Sequence, residues 1–130
     1  AVCGGEPVDG PGYFYKPTIL VDTKPDMSVI KEEIFGPVVT AIPFEDPNDI
    51  VAMANDTEYG LAAGIWTDDV AKAHKTAAAI KAGSVWINCY NLFDPHMPFG
   101  GYKQSGIGRE MGPEALENYL QTKSVCIATG

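Results

Sequence analysis

Apolar positions along the chain alternate between two periods. Short, largely β-branched or small-residue runs at Val38-Val39-Thr40-Ala41-Ile42, Ala62-Ala63-Gly64-Ile65-Trp66 and Ser84-Val85-Trp86-Ile87-Asn88 read as strands. Between them apolar residues recur at helical spacing: Ile50, Met53 and Ala54 share one face, and Val70, Ala73, Ala77 and Ile80 share another. The helix boundaries are also written locally. Asp46 before Pro47 predicts an N-cap with Pro at the first helical position and a helix through about Asn55. Asp68 or Thr67 is expected to cap the second helix, and Gly83 to end it in a left-handed conformation.

Alternation of strand and helix predicts parallel crossovers and an α/β domain with an open, mainly parallel, doubly wound sheet covered by helices. Upstream, residues 12–21 are β-favouring and glycine-flanked, which predicts an extended arm or hairpin, with Pro17 keeping it from a central position. Downstream, the pattern is lost from Asn88 to Glu110, a stretch rich in Pro, Gly and aromatics and far longer than a plain connection of about two to six residues. Pro113 is then expected to open a last helix, with Glu114 and Glu117 near its positive end and Leu116, Tyr119 and Leu120 on its buried side. Residues 124–128 are expected to close the chain as a strand.

Composition narrows the function classes. Nine Lys and Arg against seventeen Asp and Glu give a formal charge of -8, which repels phosphate backbones and argues against a nucleic-acid partner. No apolar stretch approaches the roughly 20 residues that span a bilayer, so no membrane role is expected. Cys3, Cys89 and Cys126 are odd in number and widely spaced, which gives no metal site and fits a reducing, cytoplasmic setting. The start, Ala1-Val2-Cys3-Gly4-Gly5, has no initiator Met and no signal-peptide pattern, so the chain reads as a fragment of a longer one.

Candidate chemistry gathers at bends. Glu33 and Phe35 flank Ile34 just before Gly36-Pro37, where a carboxylate that accepts from ribose hydroxyls and a ring that packs on a nicotinamide would suit a nucleotide; the alternative is a solvent-facing Glu beside a core Phe. Asn91, Phe93 and Phe99 follow a strand end, where open α/β sheets favour ligands, and either line an apolar pocket or form a local plug. The glycines at 100, 101, 106 and 108 fail both phosphate-loop patterns: Ile107 stands where the lysine is required and Met111 where the last dinucleotide glycine belongs. Their use is read as structural, with Lys103 and Arg109 tying the loop down through carbonyls or carboxylates. His96 as a general base, and Cys89 as a nucleophile, have no partner at motif spacing; His74 reads as a helix-surface residue.

In their order, Gly12-Tyr13-Phe14 to Pro17-Thr18, Glu32-Glu33-Ile34-Phe35-Gly36-Pro37-Val38, Tyr59-Gly60-Leu61-Ala62-Ala63, Val85-Trp86-Ile87-Asn88 and Pro98-Phe99-Gly100-Gly101-Tyr102-Lys103-Gln104-Ser105-Gly106 resemble the C-terminal part of NAD(P)-dependent aldehyde dehydrogenases. The resemblance covers nearly the whole chain. It implies a catalytic-domain segment over residues 1–121 and an oligomerisation strand over 122–130, in a dimeric or tetrameric homo-oligomer. It also implies that Glu33 binds the nicotinamide ribose of NAD or NADP, that Phe35 and Leu61 pack near the nicotinamide, and that Asn91, Phe93 and Phe99 line the aldehyde tunnel. The stretch Asn88-Cys89-Tyr90-Asn91-Leu92-Phe93-Asp94-Pro95 resembles the version in aryl-acetaldehyde members.

In this family a thiolate attacks the aldehyde, a hydride passes to the nicotinamide, and an activated water hydrolyses the thioester. The Gly-Gln-x-Cys context of the nucleophile and the Glu-Leu-Gly-Gly context of the general base do not occur in these residues. No catalytic residue is therefore assigned here, and the chain alone is expected to be inactive. The competing expectations are a non-catalytic structural or interaction module that keeps the fold, and a non-redox α/β binding domain.

Overall fold

The computed structural model describes residues 1–130, the side chain of Pro47 excepted. By their contacts they fall into two units, Ala1–Ile50 and Val51–Gly130.

In the first unit β1 (Thr18–Leu20) runs parallel to β2 (Val38–Thr40), with α1 (Ser28–Lys31) in the connection. The segment before β1 folds back as the expected arm: Val8 donates to the Phe14 carbonyl at 2.9 Å, Lys16 to Glu6 at 3.2 Å and Val2 to Ile19 at 2.9 Å. One expectation is corrected here. β1 is paired on both sides, by β2 and by the bridge from Cys3 to Ile19, because Pro17 lies one residue before the ladder and its missing N–H costs nothing. Thr18 is 4% exposed, and its hydroxyl is satisfied by donating to Lys16 O at 2.7 Å and accepting from Gly5 N at 2.8 Å.

α2 (Pro47–Asn55) starts where the sequence predicts, with Asp46 Oδ1 accepting from Asn48 N at 2.8 Å. In the second unit β4 (Ala62–Ile65), α3 (Val70–Ala79) and β5 (Ser84–Ile87) form a strand–helix–strand unit with β4 and β5 parallel and in register from Ala62–Ser84 to Ile65–Ile87. The cap of α3 is Asp69, whose side chain accepts from Lys72 N at 3.0 Å, rather than Asp68 or Thr67. Thr67 and Asn88 have another use. Thr67 N donates to Asn88 Oδ1 and Asn88 Nδ2 donates to Thr67 O, both at 2.9 Å, so one amide side chain extends the ladder past the strand ends. Asn88 sits at φ 54°, a left-handed conformation Asn tolerates. Replacing Asn88→Ala is expected to lower the stability of the full-length protein by about 1–2 kcal/mol, read as a shift of the denaturant midpoint at constant slope.

The α/β class holds, and the strands are distributed over three two-stranded sheets, two parallel and one antiparallel. The antiparallel pair was not anticipated: β3 (Tyr59–Gly60) pairs with β6 (Tyr102–Lys103), a strand inside the long loop. Pairing across more than forty residues leaves no local periodicity. The last helix, Pro113–Tyr119, is of the tighter 3-10 kind, and Leu116, Tyr119 and Leu120 are exposed instead of buried. Nor do residues 124–128 form a strand within this chain, since no neighbouring strand pairs with them among the described residues; Val125 and Ile127 are exposed. Of the apolar residues described, Ala73 alone is buried, at 4% exposure.

Candidate functional site

Two features of the sequence become built structures. The first is the bend between α1 and β2. Thr18 N donates to Pro37 O at 2.8 Å, which pins the end of the bend to the parallel ladder, and Val38 N donates to Gly36 O at 2.8 Å. Just before that anchor Phe35 stands at φ 39° and is 95% exposed, and Glu33 is exposed as well. The alternative of a core Phe35 is thus excluded within this chain. A bulky residue in the left-handed region with a solvent-facing ring is costly, and such strain concentrates at ligand-holding positions.

The second is the glycine-rich loop, whose tying-down follows the sequence reading. Lys103 Nζ donates to the carbonyls of Asn55, the last residue of α2, at 2.9 Å and of Thr57 at 2.8 Å, where the helix end is partially negative. Arg109 Nη1 donates to Gly101 O at 3.1 Å and Gly108 O at 2.7 Å, and its guanidinium lies 5.4 Å from the Tyr102 ring centroid. Paired backbone bonds of 2.7 Å between Phe99 and Glu110 close the loop, and Gly60 N donates to Ser105 Oγ at 3.0 Å. The reason for Gly83 is different from the one expected. α3 ends at Ala79 with Ile80 extended, and Gly83 is needed because a Cβ there would lie 1.6 Å from Gly100 O.

This loop, with Leu61, lines a cavity of about 450 Å³ that also contains Phe99, Gly100 and Gly101. Phe99 also lines a neighbouring apolar groove of about 440 Å³ along β5, together with Trp86, Leu92, Phe93, Asp94 and Met97. The groove has an aromatic wall: Phe99 meets Phe93 edge to face at 5.2 Å, Phe93 meets Trp86 at 5.5 Å, and Trp86 meets Tyr90 at 5.1 Å. Trp86 Nε1 donates to Leu92 O at 2.7 Å and folds the loop back over its own strand.

Of the sequence-derived candidates, Phe93 and Phe99 come together in the groove, and Leu61 joins Phe99 at the cavity of the glycine-rich loop. Asn91 is exposed at φ 59° and is not among the residues lining either cavity. Trp86, Asp94 and Met97 were missed. Trp86 was legible only as a strand residue, and the other two reach the groove through the turn at 94–97, in which Met97 N donates to Asp94 O at 3.0 Å.

In that turn Asp94 Oδ1 accepts from His96 N and meets His96 Nδ1, both at 2.9 Å. The backbone hydrogen bond first, and the ring second, hold the Asp94 carboxyl below its ordinary value of 3.8. A lowered folded value means that the gain is fully present above pH 3.8 and lost as pH falls through the lowered value. A carbon-detected titration of Asp94 is expected to give a midpoint under 3.8. The His96 side chain is 94% exposed, which suits a turn residue better than a general base. His74 is exposed on α3, and the Cys89 thiol is half-buried. No group of three His, Cys, Asp or Glu that could hold a metal occurs among the described residues, and no helix among them is long and apolar enough to cross a membrane.

Comparison with known proteins gives a consistent picture. The profile of the aldehyde dehydrogenase family matches residues 1–125. A betaine aldehyde dehydrogenase of Brucella anthropi is 54% identical over 119 residues, 92% of this chain and 24% of that protein. The structure of an aldehyde dehydrogenase from Bacillus cereus in complex with NAD+ superposes with a TM-score of 0.91 at 53% identity, covering 95% of this chain and 25% of that one. An indole-3-acetaldehyde dehydrogenase of P. syringae, a mutant in complex with NAD+ and IAA, superposes with a TM-score of 0.90 at 44% identity, covering 95% and 26%. The chain thus spans about a quarter of the length of the relatives it matches.

Proposed function

We propose, since the chain belongs to the aldehyde dehydrogenase family, that it is the C-terminal catalytic-domain segment of an NAD(P)-dependent enzyme oxidising an aldehyde to a carboxylic acid. The observation that carries this reading is the anchored bend that presents Glu33 and a fully exposed Phe35 ring. These residues fit a nicotinamide ribose: an exposed carboxylate accepts from two adjacent hydroxyls, and an exposed ring offers an apolar face. Leu61, half-exposed at a cavity of its own, is proposed by the resemblance alone as an apolar contact of the nicotinamide. When bound, that group accepts the hydride removed from the substrate. The cofactor is NAD or NADP, and two relatives are known as NAD+ complexes.

The Phe93–Phe99 groove forms part of the aldehyde tunnel, and Asn91, on the same loop, is proposed to contact the substrate on the strength of the resemblance. Its aromatic wall favours an aryl or other apolar aldehyde, as in the indole-3-acetaldehyde relative, and keeps water from the reacting carbonyl. The nucleophile and general base come from elsewhere in the parent, so the segment by itself has no turnover. Residues 122–130 form a strand against another copy or another part of the parent, giving a homodimer or homotetramer; their exposed backbone and apolar side chains support this. The three free cysteines support a cytoplasmic location.

The test is nicotinamide reduction by the full-length protein with an aryl and an aliphatic aldehyde, alongside residues 1–130 alone. Turnover by the full-length protein, faster with the aryl substrate and absent from the segment, is the expected result. A full-length protein that reduces NAD and NADP with neither aldehyde would leave the family fold as a non-catalytic module.

A further inference from the structure

Asp94 is the one ionisable residue among those lining the apolar groove of Trp86, Phe93, Met97 and Phe99. Its carboxylate is anchored on one side. Oδ1 takes both contacts with His96, at 2.9 Å from the backbone N and 2.9 Å from Nδ1, so Oδ2 engages in neither. The turn that these contacts close sets the carboxylate at a fixed place on the rim, 58% exposed beside a wall of aromatic rings. A fixed negative charge next to low-dielectric walls repels an anion entering the groove and leaves a neutral guest unaffected.

We infer that Asp94 is a specificity-determining residue, selecting aldehydes with a neutral tail against aldehydes of the same shape that carry a carboxylate. This rests on the groove being the aldehyde site. The contribution of Asp94 is local and is separable by mutation.

A matched pair of substrates isolates the effect: benzaldehyde and 4-carboxybenzaldehyde share the ring and the reacting group and differ by one charge. In the full-length enzyme the ratio of their kcat/KM values is expected to favour benzaldehyde by about tenfold. In Asp94→Asn that preference shrinks by about three- to tenfold, through KM of the carboxylated substrate. The variant separates charge from scaffolding, because an Asn side-chain oxygen still accepts from His96 N and keeps the turn. His96→Ala leaves the carboxylate charged, and the preference is retained or increased. An Asp94→Asn ratio equal to the wild-type ratio overturns the inference alone. Absence of turnover with both substrates, beside turnover of an aliphatic aldehyde, overturns the reading of the groove as an aryl-aldehyde site and the inference with it.

Discussion

Gly83→Ala is expected to cost the full-length protein on the order of 4 kcal/mol or more, enough to prevent accumulation of folded protein at physiological temperature. The new methyl would stand 1.6 Å from Gly100 O and 2.8 Å from its carbonyl carbon, and both belong to backbone, which cannot rotate away as a side-chain end can. Relief would require moving β5 or the start of the glycine loop, with its bonds from Arg109 to Gly101 O and from Gly83 N to Gly60 O. Soluble expression and thermal denaturation measure the effect. A variant that melts within a few degrees of wild type would mean that this approach is relaxed in the parent protein.

Glu33→Gln is expected to reduce kcat/KM for the nicotinamide cofactor about ten- to hundredfold, the usual consequence of losing a hydrogen bond to a charged acceptor. Gln is nearly isosteric and keeps one acceptor oxygen, but it replaces the other with a donor that faces the ribose hydroxyls unfavourably. Glu33 is exposed, so the melting temperature serves as the control and is expected to stay near the wild-type value. Steady-state kinetics at varied NAD, at saturating aldehyde, gives the measurement. Kinetics within twofold of wild type would remove Glu33 from the cofactor site.

Much of the fold was legible locally. The helix at Pro47–Asn55, the start of the helix at Val70–Ala79, and the strands at Val38–Thr40, Ala62–Ile65 and Ser84–Ile87 lie within a residue or two of the positions set by apolar spacing and capping residues, whereas the second helix stops well short of Gly83. The structural use of Lys103 and Arg109 was legible too, because a glycine loop without phosphate-binding chemistry leaves its cations to neutralise carbonyls. What failed were inferences that depend on partners distant in sequence. Leu116, Tyr119 and Leu120 have apolar spacing without a surface to cover them here, and residues 124–128 have strand composition without a neighbouring strand.

The sequence by itself determined the family, the α/β class and the identity of the bend and loop that carry the candidate site. These follow from residue order and from forces acting over one or two helical turns. Only the tertiary structure decided that Gly83 exists for a backbone approach, that β3 pairs with β6 across the loop, and that Trp86, Asp94 and Met97 share a groove with Phe93 and Phe99. Each joins residues through packing or pairing around an irregular loop, where no local period encodes which atoms will meet. Close packing makes such meetings specific, and a one-dimensional pattern does not contain them.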